Sequence, residues 1–379
     1  MKEQKSAKNI PLCLIALIVV VASRLVLAAV YWYWKNETGS DQGLFSALFQ
    51  WDCGWYSTIV ENGYPTDDSL AMNGQASWAF FLLVPLLERL VCQVTGLPLR
   101  VAGSLMNTGF LFLLTWLGAK FCIELDGGRQ QAIIFMLLLN FGHYNFIYST
   151  LYTEACFAFL LCAALYCMYK KHWILMGICG ALLSATRNLG IFLVFVIPFY
   201  CLQQYFAQKE TRSIRGLFAW LFERPALILG TCLIPMGFFL YMRYLDGLVG
   251  DGMAFLHVEK AWGRTPGNPL EHLFQGLLAL DSPDFILAVF ALVALYLSLR
   301  QIMRRRPEGV LSLLFVLIPL STSVAGMARY TVCSFPILME TSNALKEKST
   351  LEKIMWAIFL FILGIAGTLK WFYGAVVMI

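Results

Sequence analysis

Along most of its 379 residues the chain alternates long apolar runs with short polar corners. A helix needs about 20 apolar residues to cross the hydrocarbon of a bilayer. On that measure the pattern predicts helices over 10–31, 100–122, 131–148, 154–170, 173–187, 189–206, 225–245, 284–302, 309–325, 330–345 and 352–373, eleven in all. The stretch 173–206 is too long for one crossing and divides at Thr186, Arg187 and Asn188. The apolar run 78–97 is interrupted by Pro85, Glu88 and Arg89, and it reads as an interfacial or re-entrant helix. The run from Ile10 to Val30 is longer than the apolar stretch of a signal peptide and has no small-residue cleavage site, so a retained helix is expected there.

Composition turns this pattern into a class. The chain is 59% hydrophobic and 13% charged, with a mean hydropathy of +0.68. A soluble domain carries roughly 25% charged residues and cannot hide this much apolar surface. The expected fold class is therefore an all-α integral membrane protein in a single domain, 1–379. The net charge of +5 does not indicate nucleic acid, because the basic residues sit in short clusters between apolar runs. Such clusters mark the cytoplasmic side of a membrane protein. "MKEQKSAK" at the start, "YKKHW" at 169–173, "QKETRSIRG" at 208–216, "RQIMRRR" at 300–306 and "KEKSTLEK" at 346–353 all fall on one side if 78–97 does not cross. Two large loops, 32–99 and 246–283, then face outward. Most of the eleven cysteines lie inside apolar runs and form no metal-binding or disulfide spacing; only Cys53 and Cys92 are placed for a pairing outside.

Polar residues at membrane-level corners are costly unless they are used or paired, and here they converge on the outward face. Asp52 sits among aromatics in "FQWDCGWYSTIVENGY". On a helix, Asp52, Tyr56 and Ile59 share one face, while Trp51 and Trp55 anchor the segment at the headgroup boundary. A carboxylate held there can take a proton from an attacking hydroxyl; the plainer reading is a helix cap or an ion pair with an arginine. Arg187 and Arg329 each lie where an apolar span meets the outer face, placed either to grip a phosphate or to pair with Glu154 or Asp251. Asp251, His257, Glu259, Trp262 and Arg264 form a third group, interleaved with Phe255 as a sugar-binding surface requires. His143, Tyr144 and Asn145 are expected to pack. The chain has no Walker loop, G-x-G-x-x-G, G-x-S-x-G or H-E-x-x-H, and its four histidines are scattered, so no metal or nucleotide cofactor is expected. An activated group would arrive through the membrane, on a lipid.

Six blocks carry a resemblance. "FQWDCGWYSTIVENGY", "WAFFLLVPLLERL", "YSTLYTEACFAFL", "LLSATRNLG", "GDGMAFLHVEKAWGR" and "ARYTVCSFPIL" follow one another from residue 49 to 338. In that order they are similar to the motifs of the PIG-V-like mannosyltransferases, with Leu82, Val84, Gly252 and Glu259 as departures from the usual residues. The resemblance implies a GT-C fold of about eleven transmembrane helices, with two large outer loops carrying interfacial helices. It implies a member of bacterial type in the inner membrane with its site outside (or, in a eukaryote, in the endoplasmic reticulum facing the lumen). The implied reaction moves a hexose, mannose first, from a polyprenyl-phosphate-linked donor to a lipid or glycan acceptor with inversion. By the same carry-over Asp52 is the catalytic residue, either a base or a group that orients the acceptor, and Arg329 and Arg187 hold the donor phosphate. Trp51, Trp55, Tyr56, Tyr64, Glu154, Asp251, His257, Trp262, Arg264 and Tyr330 line the sugar and acceptor site. Two readings stand against it: a flippase or transporter of lipid-linked sugars, and a non-catalytic subunit of a glycan-assembly complex. Charges gathered at one rim rather than at the midplane favour the enzyme.

Overall fold

The computed structural model describes residues 10–66, 74–208, 213–264 and 266–375. Among these residues the chain is helical throughout, with short irregular connections. Six helices are long and apolar enough to cross a membrane: Leu12–Thr38, Leu99–Leu125, Asn188–Gln208, Pro225–Val249, Pro283–Met303 and Thr350–Phe372. Three shorter apolar helices, Glu154–Tyr169, Trp173–Ser184 and Glu308–Leu320, pack among them.

Several boundaries differ from the sequence pattern. The first helix continues to Thr38 because its aromatic tail is amphipathic. Tyr31 and Trp34 pack on Phe372, with ring centroids 6.0 and 5.5 Å away, while Trp32 and Tyr33 remain exposed as interfacial aromatics. The predicted span 131–148 ends at Phe141, and the predicted span 330–345 is two helices, Met327–Cys333 and Phe335–Lys346. Pro336 sits in the first turn of the second, where its missing N–H is harmless, and the chain breaks just before it. Leu83–Thr95 has 13 residues, about 20 Å of helix, too short to cross by itself. It lies against the helices Leu99–Cys122 and Cys53–Asn62. Arg89 on this helix donates to the carbonyls of Ile59 and Val60 at 3.2 and 2.7 Å, capping the carboxyl end of Cys53–Asn62. All eleven cysteines are free, so the pairing of Cys53 with Cys92 does not form: Cys53 is buried and its Sγ faces the Leu48 carbonyl.

Three of the basic segments meet at one end of the bundle. Lys170 pairs with Glu124, Arg306 reaches the Leu125 carbonyl, Gln203 reaches the Arg305 carbonyl, and Arg300 and Arg304 pair with Glu340 and Glu347. At the opposite end a buried irregular stretch, 142–153, connects two helices. Irregular backbone at membrane depth is tolerated only where protein surrounds it and satisfies its polar groups. Here Asn107 donates to the carbonyls of Thr150 and Tyr152 at 2.7 and 3.0 Å, Ser104 donates to that of Ser149, and the Tyr148 hydroxyl donates to Val332 at 2.6 Å. Arg24, inside the first helix, donates to the Ser149 hydroxyl. Asn145 of the predicted packing trio joins this network through Gly142, while His143 stacks on Phe290. A second, smaller core ties the two large loops together, built from Ile59, Tyr64, Trp78, Phe81, Tyr241, Phe255 and Val258.

Candidate active site

Four helical segments begin at this end, and each carries one charged residue at or just before its first turn. Asp52 precedes Cys53–Asn62, Glu154 opens Glu154–Tyr169, Arg187 precedes the 3-10 segment Asn188–Phe195, and Arg329 lies in the first turn of Met327–Cys333. The last of these helices follows a turn at Gly326, whose φ of +74° is left-handed and suits glycine. Unpaired N–H groups at helix starts favour negative charge nearby, so two acids and any incoming anion are placed well.

The four charges form one cluster. Arg329 Nη1 lies 2.8 Å from Asp52 Oδ2, Arg329 Nε lies 3.2 Å from Glu154 Oε1, and Arg187 Nη1 lies 2.6 Å from the same Glu154 oxygen. The Glu154 side chain is 1% exposed and that of Asp52 17%, so the cluster is open mainly on the Asp52 side. Glu154 Oε2 is buried with no hydrogen-bond partner. Tyr330 provides a ring face to both arginines, 5.2 Å from Arg187 and 5.8 Å from Arg329. Arg264 is within electrostatic reach of Tyr330, Arg329 and Asp52 and pairs with Glu259 at 3.2 Å.

An aromatic wall stands beside the acid. Trp55 stacks on Phe80 and meets Trp262 edge-on, with centroids 5.9 and 5.7 Å apart. Tyr56 packs on Phe80 and Tyr152. Burial pushes the Tyr56 hydroxyl well above the usual phenol range, so it stays protonated and available as a donor. Through Trp55 and Trp262 the wall joins both large loops.

Other expected site residues lie elsewhere. Trp51 and Asp52 do not share a helix with Trp55 and Tyr56, because that helix begins at Cys53. Trp51 instead has a left-handed φ of 52° and is exposed. The turn it makes swings Asp52 inward as the residue before the helix. Tyr64 is buried in the smaller core with its hydroxyl donating to the Phe80 carbonyl at 2.6 Å, a packing role. Asp251 and His257 pair with each other at 2.7 Å in an exposed part of the second loop, outside the cluster. The His257 ring beside it holds Asp251 below the usual carboxylate range. One residue that the pattern did not single out belongs to the site. The Tyr152 hydroxyl accepts the backbone N–H of Asp52 at 3.1 Å, and its ring lies 5.3 Å from the Arg329 guanidinium. Its only signal was its place in "YSTLYTE".

No protein-family model matches the chain, and no curated protein matches it. Solved structures do. The oligosaccharyltransferase of Archaeoglobus fulgidus in its apo form aligns with a TM-score of 0.50 at 14% identity, over 96% of this chain and 56% of that one. The archaeal oligosaccharyltransferase AglB from the same organism, in complex with an inhibitory peptide and a dolichol-phosphate, aligns with a TM-score of 0.47 at 13% identity, over 96% and 56%. The fold is shared with the apo oligosaccharyltransferase. The chain spans about half the length of these oligosaccharyltransferases and is a multi-pass integral membrane protein.

Proposed function

We propose that the protein is a membrane glycosyltransferase that moves a hexose from a polyprenyl-phosphate-linked donor to a lipid or glycan acceptor, with inversion, on the non-cytoplasmic face. The observation that carries this reading is the half-open cluster of Asp52, Arg329, Glu154 and Arg187 at one rim of a GT-C fold. Asp52 takes the proton of the acceptor hydroxyl as the acceptor oxygen bonds to the anomeric carbon. The bond from that carbon to the donor phosphate breaks, and its electron pair leaves with the phosphate as polyprenyl phosphate. Arg329 and Arg187 supply the positive charge the leaving phosphate requires, the task a metal ion performs at other sites. Trp55, Tyr56 and Trp262 offer ring faces and a hydroxyl to the sugar. The six sequence blocks favour mannose, and the gathering of basic segments at the opposite end favours an outward site and further crossings beyond the six long helices, up to eleven.

The transport reading fits less well, since Asp52, Glu154, Arg187 and Arg329 gather at helix starts at one end of the bundle. The test is product formation by purified protein in nanodiscs, given polyprenyl-phosphate mannose and a panel of lipid and glycan acceptors. A product heavier by one hexose with release of polyprenyl phosphate supports transfer. Absence of released phosphate from every hexose donor sinks it.

A further inference from the structure

The cluster is charge-balanced at rest, and that raises a difficulty for any donor. Asp52 and Glu154 neutralise Arg329 and Arg187, so a phosphate that simply joined them would place an uncompensated negative charge in a buried site. The geometry also shows which bond gives way. Arg329 holds Asp52 through one nitrogen and one oxygen only; its Nη2 and Asp52 Oδ1 have no hydrogen-bond partner among the described residues. A two-point, in-plane contact is the strong form of an arginine–oxyanion pair, and this is a one-point contact. Glu154 is the more deeply buried acid, hydrogen-bonded to Arg187 and 3.2 Å from Arg329 Nε, which has no hydrogen-bond partner, whereas Asp52 is the more exposed of the two acids.

Resting on the transferase reading, we infer that the donor phosphate displaces Asp52 from Arg329. The phosphodiester of a lipid-phosphate sugar carries one negative charge, as the carboxylate does, so the exchange leaves the balance of the cluster unchanged. It presents two oxygens to the Nη1–Nη2 edge where Asp52 presented one. Glu154 remains in place, hydrogen-bonded to Arg187 and beside Arg329 as its counter-charge. Asp52 stays anchored through its backbone N–H on Tyr152, with its side chain set free. A carboxylate that has lost its counter-charge is the better proton acceptor. Arrival of the donor thereby turns on the base, and the acceptor hydroxyl meets an active Asp52 only when a sugar is in place. A diphosphate carrier adds a second charge for which the exchange releases no cation.

The test is the affinity of polyprenyl-phosphate mannose, without acceptor, for wild type, Asp52→Asn, Asp52→Ser, Arg329→Ala and Arg329→Ala/Asp52→Asn proteins in nanodiscs. Unfolding temperature without lipid selects the folded variants. Removing the competitor should tighten binding about tenfold in both Asp52 variants, the scale of one charge-assisted hydrogen bond, while transfer is lost. In the Arg329→Ala background the same change should give no gain. Equal or weaker binding by the folded Asp52 variants overturns the exchange. So does an equal gain without Arg329, which would mean general charge repulsion. Failure of wild type and all variants to bind polyprenyl-phosphate mannose above empty nanodiscs removes the transferase reading itself.

Discussion

Two arginine–carboxylate clusters occupy opposite ends of this molecule. At the far end Arg300 and Arg304, one helical turn apart, face Glu340 and Glu347, and all four carboxylate oxygens are engaged. Arg300 and Arg304 take both oxygens of Glu347; Arg300 takes one of Glu340, and Asn343 approaches the other at 3.4 Å. At the site end the same stoichiometry of two arginines and two acids leaves half of the oxygens unengaged. The far cluster is the wetter one, with Glu347 47% exposed, and it is the better satisfied. Buried polar groups are ordinarily paired because leaving them unpaired is costly. An unsaturated cluster in the drier location is therefore the one shaped for something that arrives later, whereas the saturated one fastens helix Pro283–Met303 to helix Phe335–Lys346.

The largest effect that separates the two ends is expected at Asp52. Asp52→Asn keeps the shape and removes the base, so transfer should fall about a thousandfold, within the usual contribution of a positioned base. Product quantified by mass spectrometry checks this, and transfer within tenfold of wild type would move the base elsewhere. Glu154→Gln comes next. It deprives two buried guanidiniums of their shared counter-ion, and breaking a buried pair by removing one partner costs about 3–5 kcal/mol. A clear fall in unfolding temperature should accompany lost activity. An unchanged unfolding temperature would show that Glu154 holds nothing together and would erase the asymmetry between its two oxygens.

Much of this site was legible because hydrocarbon punishes charge. Asp52, Glu154, Arg187 and Arg329 stood out as acids and arginines at the ends of apolar runs, and the structure brings these four together. What stayed hidden depends on backbone geometry. The helix break after Phe141 falls at Gly142, among Asn140, His143 and Asn145 but with no proline, and 131–148 read as one span; the break is stabilised by Asn107 and Ser104 from a helix some 40 residues earlier. Tyr152 was not singled out because its partner is a backbone N–H, which composition does not reveal. Tyr64, Asp251 and His257 are site residues by the resemblance, yet Tyr64 packs inward in the first loop and the other two satisfy each other in the second.

A third acid sharpens the comparison because it has no arginine at all. Glu88, on the short helix Leu83–Thr95, is fully buried with both oxygens unpartnered, and a Cβ at Gly103 would come within 3.0 Å of its carboxylate. Burial pushes its carboxyl up to about 8 from the usual 4.5. The native state therefore keeps this proton over a range where the unfolded chain has lost it, so stability falls as pH rises from about 4.5 to about 8 and levels off beyond. Glu88→Gln is neutral at every pH. Its unfolding temperature relative to wild type should show little change near pH 4.5 and a gain that grows to full size by about pH 8. A constant difference across that range would mean that Glu88 is ionised or solvated in the native protein.

The smallest effect is expected at Glu347, and it decides whether saturation really marks a structural cluster. Its carboxyl is held below the usual range by hydrogen bonds from Arg304 first and then Arg300. That depressed value contributes stability above the unfolded carboxylate range, and the contribution disappears as pH falls through the native value. Because nearly half of the side chain is exposed, solvent screening leaves it worth about 0.5 kcal/mol, the scale of an ordinary surface pair. Glu347→Gln should lower the unfolding temperature slightly at neutral pH, lose that effect as pH falls below the usual carboxylate range and with added salt, and leave transfer unchanged. The two guanidiniums it releases still share Glu340 and reach water, so nothing at the site end should respond. A loss of transfer on this substitution would mean that the two ends are coupled through the helices Pro283–Met303 and Met327–Cys333, which pack on each other, and that full satisfaction of a charge cluster does not confine it to a structural role.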